Sequence, residues 1–159
     1  MEKISIIVPT YNEAENINNL AERIHRALFL NNISYDLIFV DDNSTDETKK
    51  VIQNLPQEYN VSFHTKKDKK GKAQSLIEGF AYAKHDLICM IDADLQYPPE
   101  AIPEMIKKIS QGASIVVTDR KEYNSSKVRK IISTSFRNIF GKYLFGLNHD
   151  VQSGLKVFK

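Results

Sequence analysis

Apolar residues fall along this chain in two rhythms that take turns. Short apolar runs, "ISIIV" (Ile4–Val8), "YDLIFV" (Tyr35–Val40), "VSFHT" (Val61–Thr65), "DLICMI" (Asp86–Ile91) and "ASIVVT" (Ala113–Thr118), predict strands. Between them the spacing lengthens to a helical one. Ile17, Leu20, Ile24 and Leu28 recur through Glu13–Leu30, and Leu76, Ile77 and Phe80 share one side of Lys72–Ala83. "STDETKKVIQNL" opens with Ser44 and has Glu47 three residues on, a capping-box pattern for a helix start at Ser44. Pro99–Ser110 predicts a fourth helix with proline in its first turn, where a missing N–H costs nothing.

Strands alternating with helices imply parallel pairing and an α/β, doubly wound, mostly parallel sheet with helices on both faces. The strands are continuous rather than alternating, as expected when both faces of a sheet are covered. A length of 159 residues suits one domain with a sizeable core. The net charge of +2 is too small to point to nucleic acid. One cysteine, Cys89, lies in an apolar run and reads as a small buried hydrophobe. No apolar run approaches the ~18 residues of a membrane helix. The lysine-rich "KKDKKGK", Lys66–Lys72, reads as a solvated loop or as an attractor of phosphate.

In such a sheet, ligands bind beyond the carboxyl ends of the strands. The chain places "PTYNE" (Pro9–Glu13), "DDNSTD" (Asp41–Asp46), "DADLQ" (Asp92–Gln96) and "TDRKEY" (Thr118–Tyr123) at those ends. Asp92 and Asp94 flank one alanine, and alternate residues at a strand end point the same way. Two carboxylates together repel unless one is protonated or a cation joins them. Hard oxygen ligands suit Mg2+ or Mn2+, and Gln96 adds a neutral oxygen. The plainer reading is that Asp92 and Asp94 cap the helix at Pro99. In "DDNSTD" the last four residues are all good caps. Asp41 and Asp42 are harder to explain that way, and a carboxylate accepts well from paired N–H groups such as a base edge.

Together, "SIIVPTYNEAENI", "LIFVDDNSTDET", "MIDADLQYPPEAIPEMI" and "DVQSGLKVFK" resemble the family 2 inverting glycosyltransferases of GT-A fold, and among them the dolichyl- or polyprenyl-phosphate sugar transferases. The resemblance runs from Ile4 to the end of the chain. It implies that Pro9, Tyr11 and Glu13 line a nucleotide pocket. It implies that Asp41 and Asp42 meet the base and ribose of a UDP- or GDP-linked sugar donor, with Asp92 on the donor as well. Asp92, Asp94 and Gln96 would hold Mg2+ or Mn2+ on the diphosphate. Arg120, Arg129 and Ser133 would face a lipid-phosphate acceptor, with Asp94, Arg120 and Arg129 as the catalytic set. Ser153 and Gly154 match the family's "SGF" turn, although Leu155 and Lys156 follow here. "TDR" replaces the usual Gly-Ser-Arg.

A phosphate acceptor is already an anion and needs positive charge rather than a general base; a saccharide or other hydroxyl acceptor would need one. From Tyr123 to His149 there is no acidic residue, and Lys127, Arg129, Lys130, Arg137 and Lys142 interleave with apolar residues. This segment reads as a basic amphipathic helix at a membrane surface, or as a helix packed on the sheet with its lysines in solvent. The family's catalytic domain ordinarily continues past this point. The resemblance therefore implies a piece of a longer protein, or a minimal version, at the cytoplasmic face of a membrane, peripheral or anchored by further segments. A phospho-receiver domain is the non-enzyme rival, but its acidic pair should follow the first strand. A nucleotidyltransferase would want a glycine-rich loop after the first strand, and "PTYNE" has no glycine.

Overall fold

A computed structural model describes residues 2–67, 70–118 and 153–159. The strands are β1 (Lys3–Thr10), β2 (Ser34–Asp41), β3 (Val61–Thr65), β4 (Ile88–Ile91), β5 (Ile115–Val117) and β6 (Leu155–Phe158). The helices are α1 (Ala14–Phe29), α2 (Thr48–Gln53), α3 (Lys72–Tyr82) and α4 (Ile102–Ser110). The strands form one sheet in the order β3-β2-β1-β4-β6-β5. β1 pairs in parallel with β2 and β4, and β2 with β3.

The mostly parallel sheet of the sequence reading is present, and one further strand joins it. The closing residues, expected only as a turn, form β6, which inserts between β4 and β5 and runs antiparallel to both. Leu155 and Val157 face the core with no exposed surface, while Lys156 and Phe158 take the other face.

The two-residue period of the strands divides the core. Ile4, Ile6 and Val8 of β1 face α1, α2 and α4, with Ile17, Leu20, Ile24 and Leu28 of α1 and Ile102, Met105, Ile106 and Ile109 of α4 packed on them. Full burial of such a side chain contributes roughly 1.5–3 kcal/mol. Ile7, Ile38 and Val40 face the other way, against Leu76 and Tyr82 of α3. Gly79 marks the closest approach there, since a Cβ on it would collide with the Ile7 side chain. Cys89 is fully buried as expected, and burial pushes its thiol pKa up.

At the amino ends of the strands a buried polar knot closes the fold. Ser5 donates to Asp36 (2.8 Å) and accepts from the Lys84 and His85 N–H groups at 2.9 and 3.1 Å. This knot ties the α3–β4 connection to the sheet at the end away from the strands' carboxyl ends.

Candidate active site

The carboxyl ends of β1, β2 and β4 lie side by side and open into a cleft of about 240 Å3. The end of β1 and its loop supply Pro9, Thr10, Tyr11 and Glu13 to the lining. Asp42 follows β2, Asp92, Ala93 and Asp94 follow β4, and Lys72 and Ser75 come from the first turn of α3. Of the residues expected to bind a nucleotide-sugar, Pro9, Tyr11, Glu13, Asp42 and Asp92 are therefore brought together. Tyr11 presents its ring at the cleft, 53% exposed.

Strand parity separates the two neighbouring aspartates. Residues 36, 38 and 40 of β2 face α3, and Asp42 continues that side; Asp41 falls on the side of Leu37 and Phe39. Asp41 is 3% exposed and does not line the cleft. Its carboxylate accepts from the Ser44 N–H (2.9 Å), the Ser44 hydroxyl (2.5 Å) and Thr10 (3.3 Å), so it shapes the loop.

The rest of "NSTD" laces this loop to the one after β1. The Asn12 N–H donates to Ser44 Oγ at 2.9 Å, and Asn12 Oδ1 accepts from the Thr45 N–H at 2.8 Å. Asp46 accepts from the Ala14 N–H (3.2 Å) and from the N–H (3.0 Å) and hydroxyl (2.5 Å) of Thr48. The Thr48 hydroxyl bond is the main reason the Asp46 carboxyl is held below its ordinary pKa. The expected capping box is not formed: α2 starts at Thr48, and Ser44 serves Asp41 and Asn12 instead. Asn12 and Asn43 take positive φ of 54° and 60°, a conformation asparagine tolerates.

The lysine-rich run is not simply solvated. Lys66 has no exposed side-chain surface, and its ammonium lies 2.6 Å from Asp42 Oδ1. Asp42 Oδ2 accepts from the Gly71 N–H at 2.7 Å. Burial opposes ionisation of Asp42. The hydrogen bonds from Lys66 and Gly71 and the nearby positive charge outweigh it, so its carboxyl sits below its ordinary range. Lys72, half exposed, reaches Asp92 Oδ1 at 2.5 Å. Sequence reasoning missed Lys66, Lys72 and Ser75 because it treated the run as one charged stretch. The signal was Gly71 beside a helix start, which puts Lys72 in the first turn of a helix entering from the strand ends.

Asp92 continues the α3-facing side of β4, after Ile88 and Met90. Its N–H donates to the Gly154 carbonyl at 3.1 Å, and a Cβ on Gly154 would collide with the Asp92 carboxylate and the Tyr97 ring. The "SG" turn thus carries glycine because the metal-candidate carboxylate fills the space a side chain would occupy. Asp94 lines the same cleft and accepts from the Gln96 N–H at 3.1 Å. Between them Leu95 takes a positive φ of 59°, a strained conformation for leucine. The Gln96 side chain is exposed and outside the cleft lining.

The donor set suits a hard divalent cation. Among the described residues no three acidic, His or Cys side chains converge on one point. Two carboxylates leave the other positions to water and phosphate oxygens, the habit of Mg2+ and Mn2+. A positive charge already stands on Asp92, in the form of the Lys72 ammonium. Arg120, Arg129, Ser133 and the basic segment lie outside the described residues. The ends flanking 119–152 meet, with Thr118 Oγ1 and Ser153 Oγ 3.0 Å apart. Among the described residues no helix is long and apolar enough to cross a membrane.

Residues 5–156 match the family described as Glycosyl transferase family 2. Over 136 residues the chain is 40% identical to a dolichol-phosphate mannosyltransferase of Pyrococcus furiosus, covering 82% of this chain and 38% of that protein. It is 32% identical over 136 residues to an undecaprenyl-phosphate 4-deoxy-4-formamido-L-arabinose transferase of Proteus mirabilis, covering 84% and 41%. The chain thus spans about two-fifths of the length of these relatives. Its fold is similar to glucosyl-3-phosphoglycerate synthase of Mycobacterium tuberculosis in complex with Mn2+, UDP-glucose and glycerol 3-phosphate. The TM-score is 0.73 at 18% identity, over 99% of this chain and 57% of that one. The fold is of the GT-A class.

Proposed function

The chain belongs to glycosyl transferase family 2, and from that premise we propose that it moves a sugar from a UDP- or GDP-linked donor to a polyprenyl or dolichyl phosphate. Mg2+ or Mn2+ would be held by Asp92 and Asp94. The observation that carries the reading is the cleft, which brings Tyr11 and Asp42 together with Asp92, Asp94 and Lys72. A nucleotide-sugar has the matching parts. The Tyr11 ring offers a face to a base, and Asp42 accepts from base or ribose N–H and O–H groups. Pro9 and Glu13 complete the lining on the β1 side. A divalent cation at Asp92 and Asp94 supplies charge neutralisation of the leaving diphosphate. Lys72 adds a second positive charge beside it.

The acceptor half rests on chemistry and on the named relatives. The cleft's carboxylates all accept from protein donors: Glu13 from Asn16, Asp42 from Lys66 and Gly71, Asp92 from Lys72, Asp94 from Gln96. In the proposal Asp42, Asp92 and Asp94 serve the donor and the metal, and none of the four is called on as a general base. A phosphate needs none, since it is already ionised, and guanidinium groups bind it bidentately. In the proposal Arg120 and Arg129 take that role, and Ser133 joins them at the acceptor. The relatives named above are transferases of dolichol phosphate and undecaprenyl phosphate. In this proposal a lipid acceptor places the work at a membrane surface, on its cytoplasmic side.

Calorimetric titration of UDP and GDP with and without Mn2+ tests the donor half. One nucleotide should bind tightly and only with the metal. Binding of neither, or binding indifferent to the metal, would overturn the reading.

A further inference from the structure

We propose that Lys66 is a positioning residue for the nucleoside end of the donor, acting by fixing the Asp42 carboxylate; the proposal deepens the donor reading above and rests on it. A lysine with no exposed side-chain surface is uncommon. Its ammonium meets Asp42 Oδ1 at 2.6 Å and donates to the Gly71 carbonyl (3.0 Å) and Ser75 Oγ (3.4 Å). Two hydrogen-bond acceptors and the paired carboxylate surround the ammonium, so the charge is compensated where it lies.

Stability alone does not account for this pair. Removing two charges from water costs several kcal/mol per ion, and apolar side chains of similar volume often do as well or better. What the pair gives is geometry. The Lys66 N–H donates to the Asp41 carbonyl at 2.8 Å, which extends the β2–β3 ladder by one residue and anchors the lysine's backbone beside the aspartate pair. Asp42 is then held on both oxygens, Oδ1 by Lys66 and Oδ2 by the Gly71 N–H. Oδ1 has no accessible surface. Oδ2 is therefore the oxygen that remains for the cleft, with lone-pair capacity beyond the Gly71 bond. An aspartate already fixed in one rotamer loses little freedom when a ligand arrives, and preorganisation of this kind strengthens binding.

Lys66→Met keeps length and apolar bulk and removes only the ammonium. The test compares Mn2+ with a nucleoside diphosphate (UDP or GDP, whichever the parent binds) and Mn2+ with inorganic pyrophosphate, which has no base or ribose. Nucleoside diphosphate affinity should fall ~10-fold or more, the size of a lost charged hydrogen bond, while pyrophosphate affinity stays at the parent value. Asp42→Asn carries the cycle. If Lys66 acts through Asp42, Lys66→Met/Asp42→Asn should bind nucleoside diphosphate as Asp42→Asn alone does. The double variant buries neither charge, and Asp42→Asn leaves the Lys66 ammonium on the Gly71 carbonyl and Ser75 Oγ, so the comparison decides the matter even if Lys66→Met alone folds poorly. Equal losses for both ligands, or a further loss in the double variant, would overturn the proposal while leaving the donor reading in place. Failure of the parent chain to bind any nucleoside diphosphate would overturn both.

Discussion

Placing a methyl group on Gly154 perturbs the site without replacing a charged residue. The new Cβ would fall on the Asp92 carboxylate and within 2.6 Å of Tyr97 Cε2. Neither neighbour can withdraw freely. Tyr97 is 2% exposed, and Asp92 is tied by its N–H to the Gly154 carbonyl and by its carboxylate to Lys72. Overpacking of this kind costs about 1–3 kcal/mol. At a few degrees per kcal/mol for a domain of this size, the melting temperature of Gly154→Ala should drop by roughly 3–10 °C. The Asp92 carboxylate takes most of the displacement, being the softer neighbour, and its register with Asp94 is lost. Mn2+-dependent nucleotide affinity should fall by about 10- to 100-fold, taking 1.4 kcal/mol per decade. Calorimetry with and without Mn2+, beside a thermal melt, reads both effects. Parent-like metal dependence together with a parent-like melt would refute the argument that the "SG" turn and the metal carboxylate share this space.

Asp94→Ala should abolish the Mn2+-dependent part of nucleotide binding and leave the melt within about 1 kcal/mol of the parent, because its one described contact is the exposed Gln96 N–H; unchanged Mn2+ dependence would remove Asp94 from the metal site. Gly79→Ala should cost about 1–3 kcal/mol in denaturant unfolding, because the methyl meets Ile7 across the α3–β1 contact; a neutral result would mean that α3 can lift from the sheet. Arg23 pairs in a fork with Glu100, at 2.8 Å on both bonds, and that hydrogen bond lowers the Glu100 carboxyl below its ordinary 4.5. A carboxylate depressed in the folded state contributes stability that is full above pH 4.5 and is lost as pH falls through the folded value. Both side chains are partly exposed, so Glu100→Gln should lose only about 0.3–1 kcal/mol at pH 7 and nothing near pH 2, read by urea melts at the two pH values.

The parallel core of the fold was legible because β1 and β2 are buried on both faces and β4 is buried on one and half-buried on the other, which makes continuous apolar runs. β6 was not legible as a strand. Its four residues alternate, with Lys156 on the α3 side, and its place between β4 and β5 is a long-range pairing that local pattern does not encode. The acidic edges were legible as a site, since strand ends in such a sheet converge. The split between Asp41 and Asp42 follows from parity, yet it needed the strand's last residue, Asp41, to be known. Ser44 and Asp46 looked like helix caps because the same side chains serve caps and loop clasps alike; only the neighbouring loop after β1 decides between them. The buried Lys66 was hidden among five lysines of one run, and its partner lies 24 positions earlier in the chain.

The proposed reaction is transfer of sugar to a lipid phosphate. Its most direct measurement is a partition assay with labelled UDP- and GDP-sugars, Mn2+ and polyprenyl phosphate in detergent, run beside the free polyprenol and with Arg129→Ala as a control. Metal-dependent label should enter the lipid phase with the phosphate acceptor alone, and Arg129→Ala should lose about 10- to 100-fold in acceptor use with donor affinity retained. Label transferred to the free hydroxyl but not to the phosphate would contradict it.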